Sequence, residues 1–320
     1  MCDLCPRACK LHEGQQGLCF VRACQDGEIV LTTYGRSSGY CVDPIEKKPL
    51  NHFLPGTPVL SFGTAGCNLG CKFCQNWEIS QAKPHEVRHY ELFPADVVKT
   101  AQRAGCLSIA YTYSEAVTFF EYMIDTARLA RDNRISNLWI SNGYINLKPL
   151  LELCKVLDAA NVNLKSFSDA IYRKLNGGRL QPVLDTFKTL HEQGVYFEMT
   201  NLVVPGYVDD DKMVKQMCQW ILNNLGPDYP LHFLRFFPKY KLDRLPATPL
   251  STLVRFRKLA MAEGIHYVYV GNAAYPEGSN TYCHNCKKLL IERTGYFVPT
   301  YNLNGNKCKY CKTAIPGHWV

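Results

Sequence analysis

Sixteen cysteines in a chain of 320 residues fall mostly into three clumps, and that distribution limits the fold more than any other feature. Cys2, Cys5, Cys9, Cys19 and Cys24 lie near the start, Cys67, Cys71 and Cys74 form a tight central group, and Cys283, Cys286, Cys308 and Cys311 lie near the end. Cys41, Cys106, Cys154 and Cys218 stand apart. No apolar stretch approaches the roughly 18–20 residues that span a bilayer. The opening MCDLCPRACK lacks the apolar region of a secretory signal. A cytoplasmic protein without a membrane segment is therefore expected. Grouped thiols in a reducing compartment read as metal ligands rather than disulfides. Cys106, Cys154 and Cys218, in apolar or helical surroundings, read as small buried hydrophobes.

Between the outer clumps, short β-branched and aromatic runs alternate with amphipathic stretches. The strand candidates are residues 59–62, 107–111, 138–140, 162–164, 195–204, 231–236 and 266–270. Val183, Leu184, Phe187 and Leu190 share one helical face, as do Met213, Val214, Met217, Trp220 and Ile221. Such alternation predicts right-handed βαβ units and a parallel sheet. The fold class is α/β, with a partial (β/α)6 barrel favoured over a doubly wound sheet. A Cys-rich segment is expected over residues 1–45, with a hairpin around Glu28 to Tyr34, the catalytic core over 46–272, and a small module over 273–320.

The strongest chemical signal is Cys67-Asn68-Leu69-Gly70-Cys71-Lys72-Phe73-Cys74, in the loop after the first strand of the core. Iron-sulfur clusters are normally held by four cysteines. Three thiolates on a catalytic scaffold leave one iron free to bind something else. Gly63, Gly66 and Gly70 flank the loop and are expected to let the backbone wrap a bulky group.

This spacing, with Phe73 before the third cysteine, resembles the radical S-adenosylmethionine (radical SAM) superfamily. More narrowly, the chain resembles the radical SAM member of the AmmeMemoRadiSam system, a relative of the pyruvate formate-lyase activating enzymes. The matching stretches include Cys5-Pro6-Arg7, Asp43-Pro44-Ile45-Glu46-Lys47-Lys48-Pro49-Leu50, Cys74-Gln75-Asn76-Trp77, Val204-Pro205-Gly206 and Tyr267-Val268-Tyr269-Val270-Gly271-Asn272. The resemblance implies a [4Fe-4S] cluster on Cys67, Cys71 and Cys74 whose open iron binds S-adenosylmethionine. One electron then cleaves that cofactor to a 5′-deoxyadenosyl radical, which abstracts hydrogen from a substrate the sequence does not identify. It also implies cofactor contacts from Phe73, Glu115, Asn142, Asn163 and Lys165. Glu115 would receive the methionine ammonium, although Tyr113-Ser114 stand where relatives have two glycines. Lys165 would pair with the methionine carboxylate. Asn163 replaces the Asp of the relatives' Asp-Leu-Lys, which removes a charge from any cation site there. The aromatic residues Tyr111, Tyr113, Phe119, Phe120, Phe236 and Phe237 are candidates for a radical-protecting wall or for core packing. Implied partners are a one-electron donor such as flavodoxin or ferredoxin, and Memo-type and AMMECR-type proteins. Glycyl-radical activation of a protein partner is the alternative reaction.

Cys283, Cys286, Cys308 and Cys311 form two Cys-x2-Cys knuckles around a hairpin, which favours structural Zn²⁺ in a zinc-ribbon-like module, with a second cluster as the alternative. Cys2, Cys5, Cys9 and Cys19 offer four more thiolates; zinc is the first reading, an auxiliary iron-sulfur cluster the second, unbound thiols the third. Cys24 and Cys41 are available as substitutes. The segment Asp43 to Gly56, with Lys47, Lys48 and His52, is expected to contact a substrate or partner, or to be a surface loop. A rival class, a zinc-stabilised nucleic-acid or protein-binding module, would place zinc in all three clumps. The formal charge of +8 does not argue for nucleic acid. Two Zn(Cys)4 sites and a three-Cys cluster would lower it to about +3.

Overall fold

A computed structural model describes residues 1–320. The chain opens with a loop bearing Cys2, Cys5, Cys9 and Cys19, followed by a hairpin of β1 (Arg22–Gln25) and β2 (Glu28–Leu31). Asp26 and Gly27 both have positive φ, 52° and 78°, which is the two-residue turn that Asp-Gly favours. The expected hairpin is present, centred a few residues earlier.

The central sheet has eight strands. They are β3 (Gly39–Pro44), β4 (Pro58–Gly63), β5 (Ser108–Tyr111), β6 (Ser136–Ser141), β7 (Ala159–Asn163), β8 (Tyr196–Val203), β9 (Leu231–Arg235) and β10 (Val268–Gly271). From β4 to β10 each strand pairs in parallel with the next in sequence. β3 pairs antiparallel with β4, so residues 39–44 belong to this sheet rather than to the Cys-rich opening. Helices α1 (Pro94–Arg103), α2 (Phe120–Asp132), α3 (Leu147–Cys154), α4 (Gln181–Glu192), α5 (Asp211–Asn224) and α6 (Leu250–Glu263) make the six crossovers. Six βα units are thus followed by a seventh parallel strand, and the sheet ends on β3 and β10 without closing on itself. No helix is long and apolar enough to cross a membrane.

Helical periodicity translates directly into burial. Val183, Leu184, Phe187 and Leu190 of α4 are buried, as are Met213, Val214, Met217 and Ile221 of α5, while Trp220 is half-buried. Each fully buried side chain of this size contributes on the order of 1.5–3 kcal/mol, so these faces fix the helices on the sheet.

The opposite face of the sheet curls around residues 45–54. Ile45, Leu50 and Phe53 pack with Val59, Ala110, Leu138 and Ala159, one residue from each of four adjacent strands. Lys48 is buried and pairs with Asp43 at 2.6 Å. His52 is fully buried and reaches Tyr269 of β10 at 2.6 Å, while its backbone N–H donates to Glu198 of β8 at 2.7 Å. Asp43 to Gly56 is therefore mostly an internal plug rather than a surface loop, with Lys47 its exposed cation.

The C-terminal hairpin, β11 (Leu289–Thr294) with β12 (Phe297–Tyr301), locks the plug. Arg293 donates to the Asn51 carbonyl at 2.7 Å and lies 3.7 Å from Glu46. Near the chain end, the Pro316 carbonyl faces His52 Nδ1 at 2.8 Å.

Burial pushes His52 down to about 4. The neutral ring donates from Nδ1 to Pro316 and meets the Tyr269 hydroxyl at Nε2. Because the folded pKa is depressed, its stability contribution is present above the unfolded value of about 6.5 and is lost as pH falls toward 4. Between pH 7 and pH 5 this group alone should remove about 2 kcal/mol. Urea titrations at the two pH values test this: His52→Gln is expected to be weaker at pH 7 but to show a smaller pH-dependent loss than the native chain. Equal losses would exclude His52 as a source.

Candidate active site

The loop from Thr64 to Asn76 leaves the carboxyl end of β4, and two glycines set its path. A Cβ on Gly63 would lie 2.2 Å from the Thr112 carbonyl oxygen. Gly66 has φ +93°, and a Cβ there would lie 2.4 Å from the Cys19 carbonyl oxygen. Gly70 has no such neighbour, so the flanking-glycine expectation holds for the first two only.

A turn of the chain far away in sequence holds the loop. Gly70 N–H donates to the Asn176 carbonyl and Lys72 N–H to the Leu175 carbonyl, both at 2.9 Å. Asn176 Nδ2 also donates to Cys71 Sγ at 3.2 Å. Cys74 Sγ lies 3.1 Å from Ser80 Oγ, and Leu69 N–H points to Cys67 Sγ at 3.4 Å. The three sulfurs do not gather within 4.8 Å as they would around one ion. Thiolates capping separate irons of a cluster stand roughly 6 Å apart, so this donor set suits a cluster. Burial pushes the Cys67 and Cys71 thiols up, and the Lys165 charge and the Asn176 amide oppose that rise at Cys71.

The other expected site residues converge on this loop from the ends of β5, β6 and β7. Glu115 is fully buried and its carboxylate is already engaged. Ser141 Oγ–H donates to Oε1 at 2.7 Å, Val117 N–H to Oε1 at 3.1 Å and Asn142 N–H to Oε2 at 2.8 Å. It caps a short 3-10 turn and at the same time fixes the backbone of Asn142. Burial raises its pKa, opposed by these donors and by Lys165. Asn142 Nδ2 donates to Asn68 Oδ1 at 2.9 Å and lies 3.8 Å from Cys67 Sγ. Asn163 donates to the Ser141 carbonyl at 3.2 Å. Lys165 places Nζ 5.8 Å from the centre of the Phe73 ring, a cation–π contact that aims the ammonium at the sulfur loop.

Tyr113, standing in place of a glycine, adopts φ +68°, a conformation costly for a bulky residue. Asn76 Nδ2 holds its carbonyl at 2.6 Å, and its hydroxyl donates to Asp43 at 3.0 Å beside Lys48. The lost glycine is replaced by these anchors. Tyr111, Phe119 and Phe236 are buried core, Phe120 nearly so, and Phe237 is exposed.

Asn68, Ser80, Ser141 and Asn176 complete the site, although sequence reasoning did not single them out. The Asn176-Gly177-Gly178 run was the available signal, since Gly177 has φ +67° and closes the turn that carries Asn176.

At the other end, Cys283 and Cys311 sulfurs are 3.6 Å apart, Cys286 and Cys308 3.7 Å, and all four lie within 4.8 Å of one another. A tetrahedron with metal–sulfur bonds of about 2.3 Å has an edge of about 3.8 Å, so these four match a single tetrahedral ion. Lys287 and Lys312 follow the knuckles with φ +61° and +65°, giving the two turns the same shape. Cys2, Cys5, Cys9 and Cys19 surround one hollow against Asn68. Cys24 faces Glu13 and Cys41 is exposed, so neither joins them. Cys106 and Cys218 are buried and Cys154 half-buried, and burial pushes Cys154 up to about 11 and Cys218 to about 12, as expected of packed thiols. A cleft of about 620 Å³ runs along the free edge of β10 between Glu46, His232, Tyr275 and Tyr296, and none of the loop cysteines lines it.

The Radical SAM superfamily profile matches residues 62–221. The chain is 43% identical to an uncharacterized protein of Methanocaldococcus jannaschii over 98% of this chain and 94% of that one. It is 28% identical to the pyruvate formate-lyase 1-activating enzyme of Escherichia coli strain K12, over 63% of this chain and 88% of that one. Its fold is similar to a radical SAM methyltransferase from Sphaerobacter thermophilus, with a TM-score of 0.55 at 16% identity, covering 74% of this chain and 71% of the other. SuiB of Streptococcus suis, solved with S-adenosylmethionine, gives a TM-score of 0.54 at 14% identity, covering 75% and 56%. This chain belongs to the radical SAM superfamily and is a radical SAM enzyme. Membership implies a [4Fe-4S] cluster and S-adenosylmethionine, and the loop sulfurs fit the first of these.

Glu115→Gln keeps the shape but turns an amide NH2 toward at least one of three donors. Loss of that buried bond should cost about 1–3 kcal/mol and lower S-adenosylmethionine affinity about tenfold or more, with the loop iron retained. Equilibrium binding to the anaerobic protein, alongside iron analysis, checks this; unchanged affinity would remove Glu115 from the site.

Proposed function

We propose that this enzyme cleaves S-adenosylmethionine reductively at Cys67, Cys71 and Cys74 and uses the resulting radical to abstract hydrogen from a substrate. The observation that carries the reading is the convergence of three unpaired loop sulfurs with Glu115, Asn142 and Lys165 at the ends of adjacent parallel strands. The cluster and S-adenosylmethionine, when bound, supply the electron transfer and the 5′-deoxyadenosyl radical. Lys165 offers the methionine carboxylate an opposite charge in a partly dry site. Glu115 orients Asn142, and its remaining acceptor capacity is available to an ammonium. Buried Cys71 and Phe73 keep water from that side of the loop.

Glycyl-radical activation of a protein partner is the second reading, favoured by the similarity to the pyruvate formate-lyase activating enzyme. The AmmeMemoRadiSam assignment is supported by the stretches Cys5-Pro6-Arg7 and Asp43 to Leu50. The first docks on the sulfur loop, with Arg7 Nε donating to the Asn68 carbonyl at 2.9 Å, and the second lies in β3 and the plug. Memo-type and AMMECR-type partners, a flavodoxin or ferredoxin donor and a cytoplasmic setting belong to the same proposal. Zn²⁺ on Cys283, Cys286, Cys308 and Cys311 would anchor the hairpin that carries Arg293. The rival binding module with zinc in all three clumps does not accord with membership in an enzyme superfamily.

Anaerobic protein reduced with dithionite is expected to form 5′-deoxyadenosine from S-adenosylmethionine, and Cys71→Ala is expected to abolish it. Candidate substrates carrying deuterium should transfer it into the 5′-deoxyadenosine. Colourless, iron-free native protein, or product formation undiminished in Cys71→Ala, would overturn the reading.

A further inference from the structure

The four N-terminal cysteines differ from the C-terminal four in one decisive respect. Cys2, Cys5, Cys9 and Cys19 all line a single small hollow. Yet no three of their sulfurs come within 4.8 Å of one another, whereas the C-terminal four all do. One zinc ion draws four thiolates to about 3.8 Å. Four thiolates on the corners of an iron-sulfur cube are held roughly 6 Å apart. The spread sulfurs therefore suit the larger group.

The surroundings fit an anionic cluster. Besides the cysteines, the lining holds Leu4, Leu18 and Val117, the polar Asn68 and Thr118, and two cations, Arg7 and Arg22. Arg22 is buried and held by Glu121 at 2.5 Å and by the Thr118 carbonyl at 2.9 Å, so its charge is fixed beside Cys19.

The hollow also abuts the sulfur loop. The Cys19 carbonyl presses on Gly66, the residue before Cys67. Asn68 lines the hollow; its Nδ2 donates to the Tyr144 carbonyl at 2.7 Å and its Oδ1 accepts from Asn142 Nδ2, which itself lies 3.8 Å from Cys67 Sγ. Two side-chain amides thus link the wall of the hollow to the sulfur loop.

We infer that Cys2, Cys5, Cys9 and Cys19 hold a second [4Fe-4S] cluster, fully ligated by protein and packed directly against the radical SAM loop. Its placement makes it an electron relay. A one-electron protein donor would be oxidised by one electron, the N-terminal cluster would take that electron and pass it on, and the loop cluster would finish reduced by one.

Metal analysis and Mössbauer spectroscopy of anaerobically purified full-length protein test this. The native chain is expected to carry about eight irons and one zinc. The Cys67→Ala/Cys71→Ala/Cys74→Ala variant should lose half of the iron and keep a [4Fe-4S] signal indifferent to S-adenosylmethionine. The Cys5→Ala/Cys19→Ala variant should also lose half, keeping the signal that S-adenosylmethionine perturbs, so a folding failure in one variant leaves the other to decide. About four irons with two zincs, or about four irons with one zinc, in the native chain would overturn the inference. Loss of the S-adenosylmethionine-responsive half tracks the loop site alone, so the two assignments fail separately.

Discussion

A buried thiol stays protonated unless a cation replaces its proton, and this constraint governs the whole molecule. Burial pushes Cys67, Cys71, Cys5 and Cys19 upward, so none of them becomes a ligand by environment alone. A metal's charge supplies what the low-dielectric setting withholds. The protein's part is to hold the sulfurs at separations that suit one kind of group. It does so with N–H donors, fixed cations and close backbone approach at Gly63 and Gly66.

The loop's rigidity comes from distant parts of the chain. Leu175 and Asn176 receive its backbone, Cys19 presses on Gly66, and Arg7 grips the Asn68 carbonyl. Below, the plug at residues 45–54 joins β3 to β10 through Lys48, His52 and their partners, and the C-terminal hairpin clamps it with Arg293. The Cys-bearing segments at the two ends of the sequence thus brace opposite ends of the same curled sheet.

Much of this was legible in the sequence because it rests on periodicity and spacing. All seven parallel strands lie at or next to their expected runs, and the α4 and α5 faces are buried as their repeats require. The Cys-x3-Cys-x2-Cys loop, Glu115, Asn142 and Lys165 come together at the ends of adjacent strands. What stayed hidden has physical reasons. β3 is a half-exposed edge strand whose residues read as part of the Cys-rich opening. Glu46, Lys48 and His52 carry charge or titrate, so they read as surface, although each is buried, Lys48 against nearby Asp43 and the other two against Arg293 and Tyr269 from far along the chain. Asn176 and Asn68 are polar residues in turns, and nothing local reveals that the first donates to the Cys71 sulfur and the second holds Asn142 beside Cys67. The choice between zinc and a cluster for Cys2, Cys5, Cys9 and Cys19 depends on sulfur separation, which spacing alone does not determine.

The central claim is that the iron left open by Cys67, Cys71 and Cys74 binds S-adenosylmethionine directly. Electron-nuclear double resonance on the reduced, anaerobic protein, with S-adenosylmethionine carrying an isotope-labelled amino nitrogen, reads that bond. A resolved nitrogen coupling to the cluster is the result this account predicts. A cluster signal that shows no coupling and no change on adding S-adenosylmethionine would contradict it.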